Sequence, residues 1–461
     1  MKLLKIVKNL NPNEKIIVKN TFWAFVVKGG ALVVSLFTTP AFIRYFNNNT
    51  ILGVWYTLLS VLIWFLNFDL GLGNGIRNNL VKAYAENDED GIKKIISSGI
   101  FAVFTVAIAL TVIGCLLLSL IDLNWLFNVD ETLISYKTLF FATILVFASI
   151  MIRFFLTTIT SLFYALQKSA INNFLSLCVS ILQLLFVLVV HFDKPEKALI
   201  VLSVAYLVIS NLPVVIAGII LFGTQLKKYI PRLKYIEKNY IKKVMGIGSV
   251  FFVCQILYMF IMNTNEFLVT KLFGPQYTTD YTFYYKLTSL ISMVITLAMT
   301  PIWSVVTKAY VEKNYIWLNK LYKVIKFAGL GTIVLQFLLV PFLQFIMDIW
   351  LGSNSIEVNY LTAIAFACFG SVFVYSSMLS TVVCGMGRMK IQTICYGIGV
   401  AVKLLLVFVL SKYVNNWSLV VWSNVVILLP YCIIQQIDLD IYLKKLKNKK
   451  QQEEVEEYEH I

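Results

Sequence analysis

Basic side chains occur inside the long apolar stretches of this sequence, where charge is rare. They are Lys28, Arg153, Lys271, Lys286 and Lys403. A cation within the hydrocarbon core of a membrane is costly, so it usually faces a protein interior or a watery cavity and marks a pathway for an ion or a substrate. Because cations outnumber acids in these stretches, the interior suits a phosphate or a carboxylate better than a cationic compound.

Depth within the apolar stretches separates these cations. Lys28 and Lys403 lie mid-stretch, where the side chain reaches water poorly, so we expect both to contact substrate. Arg153 lies in the inner half of its stretch, either at the substrate or as the structural partner of the acid Asp69. Lys286 lies near one end, which leaves a cavity role and extension to the interface both open. Lys271 lies close to the boundary of its stretch, where extension of the side chain to the membrane interface is favoured.

Acids are scarcer inside the stretches. Glu266 lies in the outer half of the seventh stretch between Asn263 and Asn265, and Asp69 lies near the inner end of the second. A buried carboxylate can take up a proton and thereby couple transport to a proton gradient, so both acids are candidates for ion coupling. A structural ion pair is the alternative for Glu266. Arg77 follows Asp69 at the inner mouth and is a further candidate for substrate binding.

The composition is that of a polytopic membrane protein. The chain has 461 residues, of which 59% are hydrophobic and 14% charged, with a mean hydropathy of +0.80, whereas soluble proteins carry about 25% charged residues. A span requires about 20 apolar residues, and twelve stretches meet this requirement. They are residues 16–43, 51–72, 95–121, 137–164, 171–192, 198–223, 244–272, 281–305, 325–351, 359–384, 391–412 and 417–437.

The distribution of basic residues predicts the orientation. With the N-terminus inside, the inner segments hold 29 lysines and arginines and the outer loops hold 5. Cytoplasmic loops carry the excess of positive charge, so both termini are predicted to be cytoplasmic. The net charge of +15 then follows mostly from topology and from anionic lipid headgroups. It gives little reason to expect a nucleic-acid partner.

Short repeats divide the chain into two halves. Residues 82–84 and 308–310 both have the sequence Lys-Ala-Tyr, each after an even-numbered span. The predicted fold is therefore all-α, with two parallel six-helix bundles related by a pseudo-two-fold axis along the membrane normal, an arrangement that commonly holds substrate near the midplane. The predicted divisions are the first bundle (1–223), a basic amphipathic linker helix (224–243), the second bundle (244–437) and a cytoplasmic tail (438–461).

Several classes of function are disfavoured. The glycine-rich run before Arg77 lacks both the preceding strand and the Gly-Lys-Ser/Thr ending of a phosphate loop, so no ATP site or other cofactor is predicted. The cysteines are scattered without a CxxC pair, which predicts neither a disulfide framework nor a metal site. A membrane polymerase or ligase is expected to carry a large outer loop with catalytic residues. Here the outer loops are short, and the histidines are His191 at an outer edge and His460 in the tail.

A short motif resembles a known family. The run Phe68-Asp69-Leu70-Gly71 to Arg77, followed by Lys-Ala-Tyr at 82–84, resembles the Wzx-type oligosaccharide flippases of bacterial surface-polysaccharide assembly. The twelve-span layout is similar to that of the superfamily that joins them to multidrug and toxin extrusion (MATE) transporters, the MOP superfamily. The resemblance implies a V-shaped pair of bundles enclosing a cationic cavity. Flippases of the peptidoglycan precursor typically add two C-terminal spans that are not found here, which argues against that role.

The resemblance also implies a substrate and partners. The substrate would be an undecaprenyl-diphosphate-linked oligosaccharide, turned from the inner to the outer leaflet of the cytoplasmic membrane. Membrane lipids are expected partners, with a polysaccharide polymerase and a chain-length regulator as further candidates. Aromatic residues such as Trp55 and Tyr284 are candidates for stacking on sugars, with packing as their alternative role. A MATE-type ion-coupled exporter of small molecules remains the alternative function; a cation exporter would need acidic pocket residues, which are few.

Overall fold

The computed structural model describes residues 12–64, 72–166, 168–245 and 249–459. These residues form helices joined by short turns, and none of them lies in a strand. Internal contacts divide the chain into two compact units, an N-terminal unit (Met1–Ile247) and a C-terminal unit (Gly248–Ile461). Each unit is described by itself.

The N-terminal unit contains nine α-helices among its described residues. They are α1 (Pro12–Phe46), α2 (Asn49–Ile63), α3 (Leu72–Ala85), α4 (Glu89–Leu120), α5 (Leu123–Phe127), α6 (Tyr136–Ala165), α7 (Ser169–Val189), α8 (Pro195–Gly223) and α9 (Lys238–Met245). Helix α6 packs against both α8 and α3, and α1 packs against α7.

The C-terminal unit contains eight α-helices in its described part. They are α10 (Ser249–Met262), α11 (Asn265–Phe273), α12 (Pro275–Val311), α13 (Tyr315–Leu339), α14 (Leu343–Leu351), α15 (Tyr360–Gly385), α16 (Lys390–Leu410) and α17 (Ser418–Glu459). Helix α15 packs between α12 and α17, and α16 packs against α10 and α17.

The helices confirm an all-α polytopic membrane protein. Within the described ranges, nine helices are long and apolar enough to cross a membrane, and Asn49–Leu62 forms a shorter apolar helix. The predicted stretch 281–305 lies within α12. The predicted stretch 244–272 differs from expectation, because two helices, α10 and α11, occupy it with a break between them.

Polar side chains begin several helices at positions that the apolar pattern alone does not mark. Asn48 accepts a hydrogen bond from the Ile51 backbone N–H at 3.1 Å, and Asp88 accepts one from the Gly91 N–H at 2.8 Å. At the start of α15, the Asn359 side chain accepts a hydrogen bond from the Thr362 N–H. The first N–H groups of a helix have no partner inside it, so such caps stabilise helix ends by about 1 kcal/mol each. These caps fix where the apolar helices begin.

The prediction of one continuous amphipathic helix over residues 224–243 is wrong. The segment contains two short 3-10 helices, Lys227–Tyr229 and Leu233–Tyr235, and only its end is α-helical, in α9. Pro231 is the physical reason: it lacks an N–H, and it restrains the preceding residue to the extended conformation that Ile230 adopts (ψ 129°).

The same segment packs into the N-terminal unit. Leu226 and Val244 are fully buried in its hydrophobic core. A Cβ atom built at Gly75 on α3 would lie 1.9 Å from the Val244 carbonyl oxygen, so only glycine permits this approach of α3 to α9. The segment is therefore part of the N-terminal packing at both of its ends.

The predicted tail from residue 438 begins inside α17, which continues to Glu459. Leu439 and Leu443 are fully buried, and Asp440 forms an ion pair with Lys326 of α13 at 2.9 Å. The first turns beyond the apolar stretch therefore belong to the C-terminal unit. Side chains beyond residue 448 lie outside the described part of the chain.

Replacing Gly75 with alanine is expected to lower stability by about 1–3 kcal/mol, because the added methyl group forces the α3 and α9 backbones apart. Thermal unfolding of the purified protein in detergent measures the change. Gly331→Ala is the matched control, since a Cβ atom there meets nothing within 4 Å. Equal unfolding temperatures for Gly75→Ala and Gly331→Ala would contradict the close approach.

Candidate functional site

A helix break lies in the C-terminal unit at the predicted seventh span. Helix α10 ends at Met262 and α11 begins at Asn265, with Asn263 and Thr264 between them. A break leaves backbone carbonyls without their usual N–H partners, which is tolerated at membrane depth only where other protein groups satisfy them. The Asn265 side chain supplies one such group by donating to the Met262 carbonyl at 3.0 Å.

Lys403 of α16 satisfies the other groups at the break. Its ammonium donates to the Ile261 carbonyl, to Thr264 Oγ1 at 3.0 Å and to Asn265 Oδ1 at 2.7 Å. The side chain is 0% exposed. An ammonium group has three N–H donors, so each of them has an acceptor. We call Lys403, Ile261, Thr264 and Asn265, together with Asn424 below, the Lys403 network.

Asn424 of α17 completes the network. Its side-chain amide donates to Asn265 Oδ1 at 3.0 Å and to the Val420 carbonyl at 3.1 Å. Asn265 thus accepts from Lys403 and Asn424 while it donates to the break. The network ties α10, α11, α16 and α17 together through neutral oxygen acceptors.

Glu266 lies beside this network and provides the opposite charge. Its carboxylate interacts electrostatically with Lys403, Tyr281 and Tyr285. Buried charges are tolerated when they are paired or well hydrogen-bonded. An ionised Glu266 therefore offsets the Lys403 charge, and a protonated Glu266 leaves it uncompensated.

Stacked aromatic rings pack against the network from α12. Tyr281 and Tyr285 stack with ring centroids 5.8 Å apart, and Tyr281 also contacts Phe366 of α15 and Trp417. Tyr281 is 1% exposed. Close aromatic packing of this kind fixes the position of side chains and excludes water from the region next to Glu266.

Arg153 lies among polar groups within the N-terminal unit. From α6, its guanidinium donates to the Ser210 carbonyl of α8 at 3.2 Å. One residue along, the Asn211 amide donates to the backbone oxygen and to Oγ of Ser149 at 3.1 and 3.0 Å. Arg153 is half-buried. Among the described residues, the guanidinium makes this one hydrogen bond, so most of its five N–H donors remain available.

The other predicted site residues are distributed over both units. Arg77 of α3 lies over the ring of Tyr164 with its guanidinium carbon 5.3 Å from the centroid. Lys286 is half-buried in α12. Lys28 lies in α1, but its side chain is outside the described part, and Asp69 lies outside the described residues altogether. The structure brings together Lys403 and Glu266; convergence of cations from both halves stays a prediction.

Sequence reasoning missed the partners of Lys403. Thr264 and Asn424 were not candidates, and Asn265 was noted only as a neighbour of Glu266. A signal was present in the polar triplet Asn263-Thr264-Asn265, which interrupts an apolar run and indicates a break.

The fold is similar to that of solved transporters. An inward-facing multidrug resistance MATE family transporter of the MOP superfamily has a TM-score of 0.69 at 14% identity, over 92% of this chain and 99% of that one. A MOP superfamily transporter from Pyrococcus furiosus, described as having a binding pocket of reverse polarity that suggests a different function, has a TM-score of 0.63 at 15% identity, over 94% and 96%. The fold is thus that of MATE-like transporters.

Sequence relatives define the family. A Salmonella typhimurium protein provisionally named an O-antigen transporter is 23% identical over 271 residues, which are 58% of this chain and 60% of that protein. Residues 17–306 match the family described as polysaccharide biosynthesis protein. The chain therefore belongs to the polysaccharide biosynthesis protein family. The predicted resemblance to a family of surface-polysaccharide assembly proteins with a MATE-like fold is confirmed by the family match and by the fold.

Lys403→Met is expected to destabilise the protein by about 3–5 kcal/mol, the usual cost of removing one member of a buried charged network. The substitution removes the Lys403 donor from the Ile261 carbonyl, from Thr264 Oγ1 and from Asn265 Oδ1, of which Asn265 Oδ1 keeps its hydrogen bond from Asn424. Lys412→Met, at the exposed end of the same region, is the matched control and is expected to change nothing. Thermal unfolding in nanodiscs measures both; equal unfolding temperatures would remove the structural role of Lys403.

Proposed function

We propose that this protein is a flippase that moves undecaprenyl-diphosphate-linked oligosaccharide repeat units from the inner to the outer leaflet of the bacterial cytoplasmic membrane. The observation that supports this most is the fully buried Lys403 ammonium, which neutral oxygens hold next to a helix break. Intramembrane cations mark substrate pathways. The family match and the relative named for O-antigen transport support the same substrate class.

A lipid diphosphate explains why the cations are needed. Its negative charge cannot cross hydrocarbon without groups that replace its hydration, and its sugars are excluded for the same reason. Lysine and arginine side chains supply charge-assisted hydrogen bonds to phosphate oxygens, and arginine can do so in a bidentate manner. The polyprenyl tail stays in the lipid while the headgroup passes through the protein.

The proposed role of each basic residue follows from its position along the predicted pathway. Lys28, Arg153 and Lys403 contact the diphosphate, Arg77 attracts it at the inner mouth and Lys286 acts on the exit side. Arg153 is suited to this role because most of its donors have no acceptor among the described residues. Lys403 must exchange at least one of its three present acceptors for a phosphate oxygen, so substrate binding and rearrangement at the helix break are linked.

Glu266 is the coupling group of this proposal, with Asp69 as the second candidate. Proton uptake by Glu266 removes the negative charge that interacts with Lys403. The electrostatic balance of the Lys403 network therefore changes with the protonation of Glu266. Alternating access, with one bundle rocking against the other, moves the site between the two sides.

The membrane is the cytoplasmic membrane, both termini are cytoplasmic, and a polymerase and a chain-length regulator act on the exported units. The excess of basic residues in the predicted inner loops supports this orientation. Because the sequence carries no phosphate-loop motif, the energy source in this proposal is an ion gradient or a partner protein.

A MATE-type exporter of small molecules is the second candidate, because the solved structures with similar folds include multidrug transporters. The two functions predict different substrates. An exporter should confer resistance to small cationic compounds in cells, whereas the flippase should leave lipid-linked oligosaccharide inside the membrane when it is deleted. Mass analysis of accumulated lipid-linked sugars decides between them.

Arg153→Gln is expected to reduce flipping at least about tenfold, which corresponds to about 1.4 kcal/mol of lost substrate interaction. The assay follows lipid-linked oligosaccharide in proteoliposomes. Arg153→Lys should retain part of the rate because it keeps the charge, and Arg44→Gln, at an exposed helix end, should retain all of it. Wild-type flipping by a stably folded Arg153→Gln protein would exclude Arg153 from the site.

Glu266→Gln is expected to abolish the acceleration of flipping by an imposed proton gradient while leaving a gradient-independent rate. The amide keeps the shape of the carboxyl group but does not take up or release a proton at the pH values of the assay. Flipping rates with and without a pH difference across the vesicle membrane measure this, with Glu131→Gln in an exposed turn as the control. An unchanged response to the gradient would assign coupling to another group.

A further inference from the structure

A polar cavity of about 260 Å³ lies at one end of the C-terminal unit. The first turns of α12, the segment before α15 and the segment before α17 enclose it. Its lining includes Tyr277, Asp280, Tyr284, Glu357, Asn416 and Trp417. Pockets for drug-sized ligands have volumes of about 300 Å³ or more. This cavity is slightly smaller, and its volume suits a single sugar ring.

One wall of the cavity is a rigid aromatic surface. Tyr284 stacks on Phe366 with centroids 5.4 Å apart and planes at 13°, and Trp417 lies 6.0 Å from Tyr284 and 6.2 Å from Phe366. The Tyr284 hydroxyl accepts the Asn359 backbone N–H at 2.8 Å, so its own proton is available for donation into the cavity. Packed rings with polar ends are suited to amphipathic ligands.

The lining also contains two carboxylates that are able to accept hydrogen bonds from a ligand. Among the described residues, neither the Asp280 nor the Glu357 carboxylate forms an ion pair or a side-chain hydrogen bond. Asn416 uses its oxygen to cap the Ser418 N–H at 2.9 Å, which holds its amide in place. The part of the chain that the structure describes contributes no lysine or arginine to the lining of this cavity.

These features exclude some ligands and favour one class. Two carboxylates without a cation repel phosphate, so the cavity does not suit the diphosphate. Sugar hydroxyls can donate to the carboxylates and accept from amide and tyrosine groups, while the C–H face of the ring packs on aromatic side chains. We propose that this cavity binds a neutral sugar residue of the transported oligosaccharide.

The position of the cavity relative to the Lys403 network fits such a substrate. Trp417 contacts Tyr281 with ring centroids 6.4 Å apart, and Tyr281 interacts electrostatically with Glu266. The rings of Trp417 and Tyr281 therefore connect the cavity lining with the surroundings of the Lys403 network. In the proposed substrate, sugar and diphosphate are covalent neighbours. The source of the sugar rests on the proposed function; the sugar-binding chemistry rests on the cavity.

The test measures binding of free sugar to the full-length protein in nanodiscs by calorimetry. The probe is the mixture of neutral oligosaccharides that partial acid hydrolysis releases from the surface polysaccharide of the source strain. Asp280→Asn and Trp417→Leu are each expected to weaken binding at least tenfold, and Asp193→Asn, an exposed acid of the N-terminal unit, to leave it unchanged. Thermal unfolding shows whether each variant is folded.

Further measurements separate the alternatives. Calcium and sodium chloride are titrated alone; a cation that binds wild type but not Asp280→Asn, with no sugar binding, would overturn the proposal in favour of a cation site. Absence of sugar binding to wild type, or equal binding by wild type and folded Asp280→Asn and Trp417→Leu, would also overturn it. Sugar binding that is lost in folded Asp280→Asn and kept in Asp193→Asn supports it.

The same variants distinguish this inference from the proposed function. If wild type binds sugar with the expected variant pattern but flips no lipid-linked oligosaccharide, the flippase proposal fails and the sugar cavity stands. If wild type flips the lipid and Asp280→Asn binds sugar as well as wild type does, the cavity proposal fails and the flippase stands.

Discussion

Hydrocarbon offers no water to a buried polar group, and the C-terminal unit depends on how this constraint is met at Lys403. The break between α10 and α11 leaves carbonyl oxygens without helical partners, and the lysine brings three N–H donors without water. Either feature alone would be costly. Together they satisfy each other, because the Ile261 carbonyl and the side chains of Thr264 and Asn265 accept all three donors.

Neutral acceptors satisfy hydrogen bonds but do not cancel charge. A protonated Lys403 therefore carries its charge in a region of low dielectric, where its attraction for an anion is strongest. Glu266 partly offsets that charge. Arg153 in the N-terminal unit follows the same principle with the Ser210 carbonyl as its acceptor. In each unit, a basic group inside an apolar helix is thus held by neutral oxygens of the protein.

The sequence predicts the charges of this arrangement better than its geometry. Hydropathy identified Lys403 and Glu266, because a charge in an apolar stretch is visible without any knowledge of folding. The acceptors could not be identified in the same way, since Asn265 lies 138 residues from Lys403 and their contact depends on the packing of α11 against α16 and α17. Length and composition carry the signal for apolar stretches, and nine of the described helices are long and apolar enough to cross a membrane. The division of the seventh stretch depends on a polar triplet that hydropathy averages away.

Local rules also explain the errors outside the spans. The helical spacing of apolar residues over 226–244 predicted one amphipathic helix, but Pro231 outweighs periodicity because it removes a donor in the middle of the segment. Leu439 and Leu443 are buried although they lie beyond the last apolar stretch. Their pattern is helical, but charged neighbours lower the local hydropathy, so a test for membrane spans ends before the packed helix does.

The two kinds of site in the C-terminal unit differ in the charge of their side chains, and aromatic rings connect them. Tyr281 interacts electrostatically with Glu266, which lies beside the Lys403 network, and packs against Trp417, which lines the polar cavity. A diphosphate and a neutral sugar have different requirements, because the first binds to cations and the second through hydrogen bonds and packing of its ring on aromatic side chains. In the proposed function, the Lys403 network holds the diphosphate and the polar cavity holds the adjoining sugar. On that proposal, the rings of Tyr281 and Trp417 serve recognition as well as packing.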